Sequence, residues 1–130
     1  MKKINWGIIG LGNIANTFAN AFDYVENSQL LGISSKSLKN IKLFKEKYKV
    51  LEKYCFQNYE DLINCDEIDI IYIALPHSFH FEWIMKCIES NKNILVEKPA
   101  TINLDEIKKV NEKLGNSNLF FAEAFMYLYH

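Results

Sequence analysis

The segment IDIIYIAL, Ile68 to Leu75, is almost unbroken apolar sequence, much of it β-branched. A strand of that kind has no polar face to offer to water, so both of its faces must be covered. Shorter apolar runs recur along the chain: INWGIIG (Ile4 to Gly10), QLLGISS, a short edge candidate KYCF, NILVE and NLFFAEAFM. Between them lie segments of helical period. NIANTFANAFDYV carries Ile14, Phe18, Ala21, Phe22 and Val25 on one stripe, and SLKNIKLFKEKYK sets Leu38, Ile41 and Phe44 against a solvated lysine face. NYEDLINC opens on Asn58 as a cap, SFHFEWIMKCIESN on Ser78, and TINLDEIKKVNEKLG on Asn103 with Glu106 three residues on and Gly115 at its end. About six strands alternating strictly with five helices predict an α/β fold, a doubly wound parallel sheet with right-handed crossovers in the order 3-2-1-4-5-6. No internal repeat, linker or low-complexity segment interrupts the alternation.

The remaining totals narrow the function. With 130 residues, 49% of them hydrophobic, the chain is one ordered domain. A formal net charge of −1 points away from nucleic acid and from anionic membranes. All 15 basic residues are lysine, so the bidentate arginine fork is missing and a phosphate would have to be held by backbone N–H groups, hydroxyls or Lys. Cys55, Cys65 and Cys87 are scattered without metal-type spacing, which predicts reduced, mostly buried thiols in a cytoplasmic protein and no metal site. The opening MKKINWGIIGLG is too short and too interrupted for a secretion signal, and no apolar run reaches membrane-spanning length. These features predict a soluble protein.

In a doubly wound sheet, ligands bind beyond the carboxyl ends of the strands, so those ends are where chemistry is sought. The first ends in GIIGLGNIA, where Gly10, Gly12 and Ala15 match G-x-G-x-x-(G/A) between a strand and a helix. Gly10 permits the tight turn, Gly12 lets a pyrophosphate approach the backbone, and the N–H groups of Asn13 and Ile14 open a helix whose positive end favours an anion. The second strand ends GISSKS, with Ser35 and Lys36 where a ribose-gripping carboxylate would stand. Hydroxyl plus ammonium suits a 2′-phosphate, favouring NADP(H) over NAD(H). The alternative is that Ser35 or Ser37 caps the next helix while Lys36 faces water. The fourth strand ends IALPHSFH, where Pro76 turns the chain out of the sheet, the Ala74–Leu75 backbone lines the crevice, and His80 stands near a helix start. A histidine there is more often structural than catalytic. The fifth ends VEKPA, an acid, a base and a proline in succession: Glu97, Lys98, Pro99. Pro99 restricts the backbone of Lys98, and a lysine held in a partly desolvated cleft beside Glu97 can polarise a carbonyl or alkoxide. The competing reading is an exposed turn with an accidental ion pair.

GIIGLGNIA, IALPHSFH, ILVEKPA and EAFMYLYH, in that order and spacing, resemble the Gfo/Idh/MocA oxidoreductase family, and EAFMYLYH is most similar to its dihydrodiol and D-xylose dehydrogenase branch. The resemblance covers essentially the whole chain. It implies a Rossmann dinucleotide-binding domain over residues 1–124, with 125–130 beginning the crossing into a second α/β domain that these residues do not contain. It implies Gly10, Gly12, Asn13 and Ile14 at the pyrophosphate, Ser35 and Lys36 at the adenosine ribose, and Ala74, Leu75, Pro76 and His80 along the cofactor. Glu97 and Lys98 would lie at the nicotinamide end, with Lys98 the catalytic-site lysine. The activity implied is hydride transfer between NADP (or NAD) and a sugar, polyol or dihydrodiol carbon, in an enzyme that is a homo-oligomer when complete. The chain alone is expected to be inactive. Leu128 stands where the branch carries arginine, and Phe120, Phe121, Phe125, Tyr127 and Tyr129 form an aromatic tail suited to the crossing. The alternative from another class is a non-enzymatic dinucleotide sensor or interaction module that lacks the substrate half.

Overall fold

The apolar runs assemble into one sheet. The structure, a computed structural model, describes residues 2–124. Its strands are β1 (Ile4–Ile9), β2 (Ser28–Ser34), β3 (Cys55–Phe56), β4 (Ile70–Ile73), β5 (Asn93–Glu97) and β6 (Phe121–Ala124). They lie in the order β3-β2-β1-β4-β5-β6, every pair parallel. The connecting helices are α1 (Asn13–Asn20), α2 (Leu38–Tyr48), α3 (Tyr59–Ile63), α4 (His80–Glu89) and α5 (Leu104–Leu114). This is the predicted doubly wound topology.

Successive strand residues point to opposite faces, and both faces are covered. Ile8, Ile33 and Tyr72 pack with Ala15, Ala19, Ile41 and Phe44 under α1 and α2. Ile9, Ile71, Ile73, Ile94 and Val96 pack with Leu62, Ile84, Cys87 and Val110 under α3, α4 and α5. Neighbours in sequence therefore belong to different cores, as Ile8 and Ile9 do.

Several expectations shift locally. β1 stops at Ile9 because Gly10 adopts a φ of +91°, outside strand geometry. α1 gives way to a 3-10 turn at Ala21–Tyr24, which leaves Ala21 and Val25 exposed rather than on the apolar stripe. Leu38, placed on the stripe of α2, is 63% exposed at its first position. Ser78 does not cap α4: a 3-10 turn over His77–Phe79 follows Pro76, and the helix opens at His80. Asn58 occupies the cap position of α3 without a side-chain bond. The cap of α5 is as read, with Asn103 Oδ1 accepting from the Glu106 N–H at 2.9 Å and Glu106 Oε1 accepting from the Ile102 N–H at 3.0 Å. Of the three free cysteines only Cys87 is buried; Cys55 lies on the edge strand and Cys65 in the turn after α3, so both are partly exposed. Phe125, Tyr127, Leu128 and Tyr129 lie outside the described residues. No helix among the described residues is long and apolar enough to cross a membrane.

Candidate functional site: a crevice at the carboxyl ends of the strands

Sheet order reverses beside β1, so the loops after β2, β1, β4 and β5 open side by side at one edge of the sheet. The first loop is the glycine turn. At Gly10 a Cβ would lie 2.9 Å from the Ala74 carbonyl oxygen, so only glycine lets the first and fourth strand ends meet this closely. The Gly10 N–H donates to the Ser34 carbonyl at 3.0 Å, which ties the turn to β2 as well. Gly12 differs. A Cβ there would have nothing within 4 Å, and Gly12 caps α1 with no side chain bonding the first-turn amides. The N–H groups of Asn13 and Ile14 therefore open a helix with no side-chain cap and no acidic residue in its first turn.

After β2, both serines serve the turn. Ser35 is buried and its Oγ accepts from the Ser37 N–H at 3.0 Å, while the Ser37 Oγ accepts from the Asn40 N–H at 3.2 Å and caps α2. Lys36 is exposed, and its ammonium lies 4.8 Å from the centroid of the Tyr59 ring. It borders a cavity of about 350 Å³ lined also by Tyr59, Leu75, Pro76, Phe79, Glu82 and Trp83. Tyr59 and Trp83 meet edge to face at 5.0 Å, and burial pushes the Tyr59 phenol up.

After β4, Ala74 and Leu75 are half-buried and Pro76 is exposed. His80 is only 1% exposed, with Nδ1 2.7 Å from the Pro99 carbonyl and Nε2 2.7 Å from the Leu75 carbonyl. Its ring thus ties the β4 loop to the β5 loop and reaches the crevice only through the backbone that it holds.

After β5, Glu97 is half-buried and Lys98 exposed, and the Lys98–Pro99 peptide bond is cis. The Glu97 carboxylate accepts from the hydroxyl of Tyr72 in β4, and burial together with that carboxylate holds the Tyr72 phenol well above its ordinary range. The turn is also held from β6: Glu123 Oε2 accepts from the Ala100 N–H at 2.5 Å.

Gly10, Gly12, Asn13, Ile14, Lys36, Ala74, Leu75, Pro76, Glu97 and Lys98 thus stand at or just beyond the carboxyl ends of four neighbouring strands, while Ser35 and His80 bond the backbone of the loops there. The sequence reading missed Tyr72, Glu123 and the Tyr59–Trp83 pair. The available signal was a lone polar atom inside an apolar run, in IDIIYIAL and again in NLFFAEAFM, since a buried hydroxyl or carboxylate must find a partner.

The chain is similar to known enzymes. It is 30% identical over 122 residues to a trans-1,2-dihydrobenzene-1,2-diol dehydrogenase of Xenopus tropicalis, covering 92% of this chain and 36% of that protein. It is 30% identical over 131 residues to a D-xylose 1-dehydrogenase (NADP(+)) of Hypocrea jecorina, covering 93% and 34%. It superposes with a TM-score of 0.90 and 28% identity on a 3-ketoreductase from Actinomadura kijaniata solved with NADP and TDP-benzene, covering 99% of this chain and 39% of that one. The chain therefore spans about a third of the length of these proteins. Over residues 4–125, from the first strand through the last, it matches the Gfo/Idh/MocA oxidoreductases with an NAD-binding Rossmann fold, and it belongs to that family.

Proposed function

We propose that this chain is the dinucleotide-binding part of an oxidoreductase that moves a hydride between a nicotinamide cofactor and a sugar, polyol or dihydrodiol carbon. One observation carries the reading: the open face of Gly12 and the uncapped start of α1 share a crevice edge with Glu97 and Lys98. A dinucleotide fits that edge. With no Cβ at Gly12 and no side chain on the first amides of α1, a pyrophosphate can lie against the N–H groups of Asn13 and Ile14. The cofactor, when bound, supplies the hydride donor or acceptor. The chain's own residues bind, orient and manage charge. Lys36, with no carboxylate at the end of β2, favours a 2′-phosphate and so NADP(H). Lys98 offers an ammonium to a substrate oxygen and holds or releases the proton of its hydroxyl.

The similarity to an NADP(+)-dependent D-xylose dehydrogenase and to dihydrodiol dehydrogenases supports this substrate range. The chain spans about a third of those enzymes; we infer that in the complete protein a second domain supplies the rest of the substrate site, and that this protein is a cytoplasmic homo-oligomer. Isothermal titration calorimetry of the 130-residue chain with NADPH and NADH tests the reading. Binding of either, tighter for NADPH, is expected. Absence of heat with both at millimolar concentration overturns it.

A further inference from the structure

The turn after β5 is held in two different ways. Its backbone is fixed by His80 on the Pro99 carbonyl and by Glu123 on the Ala100 N–H. Neither contact touches the side chain of Glu97. That carboxylate is held from below, by a residue in the middle of the sheet. Tyr72 is 1% exposed, its ring lies against Phe18 of α1 at 4.0 Å between centroids, and its hydroxyl donates to Glu97 Oε1.

The register explains the meeting. Tyr72 pairs with Leu95, and Glu97, two residues further on, returns to the same face of the sheet, the face under α1. A phenol buried this deeply must find an acceptor, and a carboxylate accepts more strongly than a neutral oxygen. The other carboxylate oxygen, Oε2, has no partner among the described residues. Glu97 is half-buried at the last position of β5, so that oxygen is an acceptor left over at the carboxyl end of the strand.

We propose that Tyr72 is a positioning residue for the cofactor site: its hydroxyl orients the Glu97 carboxylate so that Oε2 accepts a hydrogen bond from the nicotinamide riboside half of the dinucleotide. The ribose hydroxyls and the carboxamide N–H₂ of that half are the donors available. This inference rests on the dinucleotide reading above. Through Phe18, Tyr72 also links the helix that follows the glycine turn to the carboxylate at the opposite end of the crevice.

Tyr72→Phe keeps the ring against Phe18 and deletes only the donor. Calorimetry on the 130-residue chain uses two probes: NADPH, and adenosine 2′-phosphate 5′-diphosphate, which lacks the nicotinamide riboside. Y72F should weaken NADPH by about tenfold, the loss typical of one charge-assisted hydrogen bond, and leave the shorter probe unchanged within about twofold. Glu97→Ala should show the same selective loss, and the double variant should be no weaker than either single one. A merely structural Tyr72 would weaken both probes alike. Equal loss on both, wild-type NADPH affinity in Y72F, or additive losses in the double variant would overturn the proposal and leave the dinucleotide reading standing. A wild-type chain that binds neither probe would overturn both. Should Y72F fail to fold, having stripped a half-buried carboxylate of its donor, E97A decides: selective loss of NADPH supports the proposal, and wild-type affinity ends it.

Discussion

Gly10 and Gly12 stand two positions apart and answer to different demands. Gly10 has a φ of +91° and no space for a Cβ, so Gly10→Ala should cost about 2–3 kcal/mol of stability, read from urea melts. Gly12 has a negative φ and an open side, so Gly12→Ala should leave the melt nearly unchanged and weaken NADPH binding, read by calorimetry. Lys98→Ala, in the complete enzyme, should lower turnover by about a hundredfold or more with a smaller change in cofactor affinity. Cys87 makes a pH prediction. Burial pushes its thiol up, so the unfolded chain loses that proton first, near pH 8.5. Its contribution is fully present below that pH and declines as pH rises. Cys87→Ala should flatten the fall in stability between about pH 8.5 and 10, measured by denaturant titration at several pH values. The glycine motif was legible because its spacing falls within one strand–turn–helix segment of the chain. The Tyr72 hydroxyl was not, because its partner lies 25 residues away.

At the scale of the element, the turn between β2 and α2 is where we propose that cofactor choice is made. Ser35 and Ser37 both bond backbone amides within it, so the alternative reading of the serines as capping groups describes Ser37. That assignment leaves Lys36 as the charged group of the turn, above Tyr59 and beside the apolar cavity. Lys36→Ala should therefore weaken NADPH by about tenfold while NADH changes within about twofold, since only the former carries a 2′-phosphate. Calorimetry with both cofactors checks it. Helix α5 shows what an element can announce from sequence: Asn103 and Glu106 form their reciprocal bonds because both partners lie within one turn. Helix α4 shows the opposite. Ser78 has the right chemistry for a cap, but the 3-10 turn after Pro76 moves the helix start past it to His80.

At the scale of the whole molecule, one sheet separates two cores, and every central strand contributes to both. Neither core can come apart without exposing the other face of the same strands. Unfolding should therefore be a single cooperative event, with far- and near-ultraviolet circular dichroism following coincident thermal curves. Separate midpoints would mean that the two helical layers melt independently. The sequence by itself determined the fold class, the strand order and the places where ligand loops open, because apolar period, chain connectivity and the handedness of crossovers are properties of the string. The tertiary structure alone decided which side chains face the crevice and which hold it: Tyr72 under Glu97, His80 between two loops, Glu123 on the Ala100 amide. Those bonds join strands that meet only once the sheet has formed, and no local rule of spacing or propensity encodes a meeting across it.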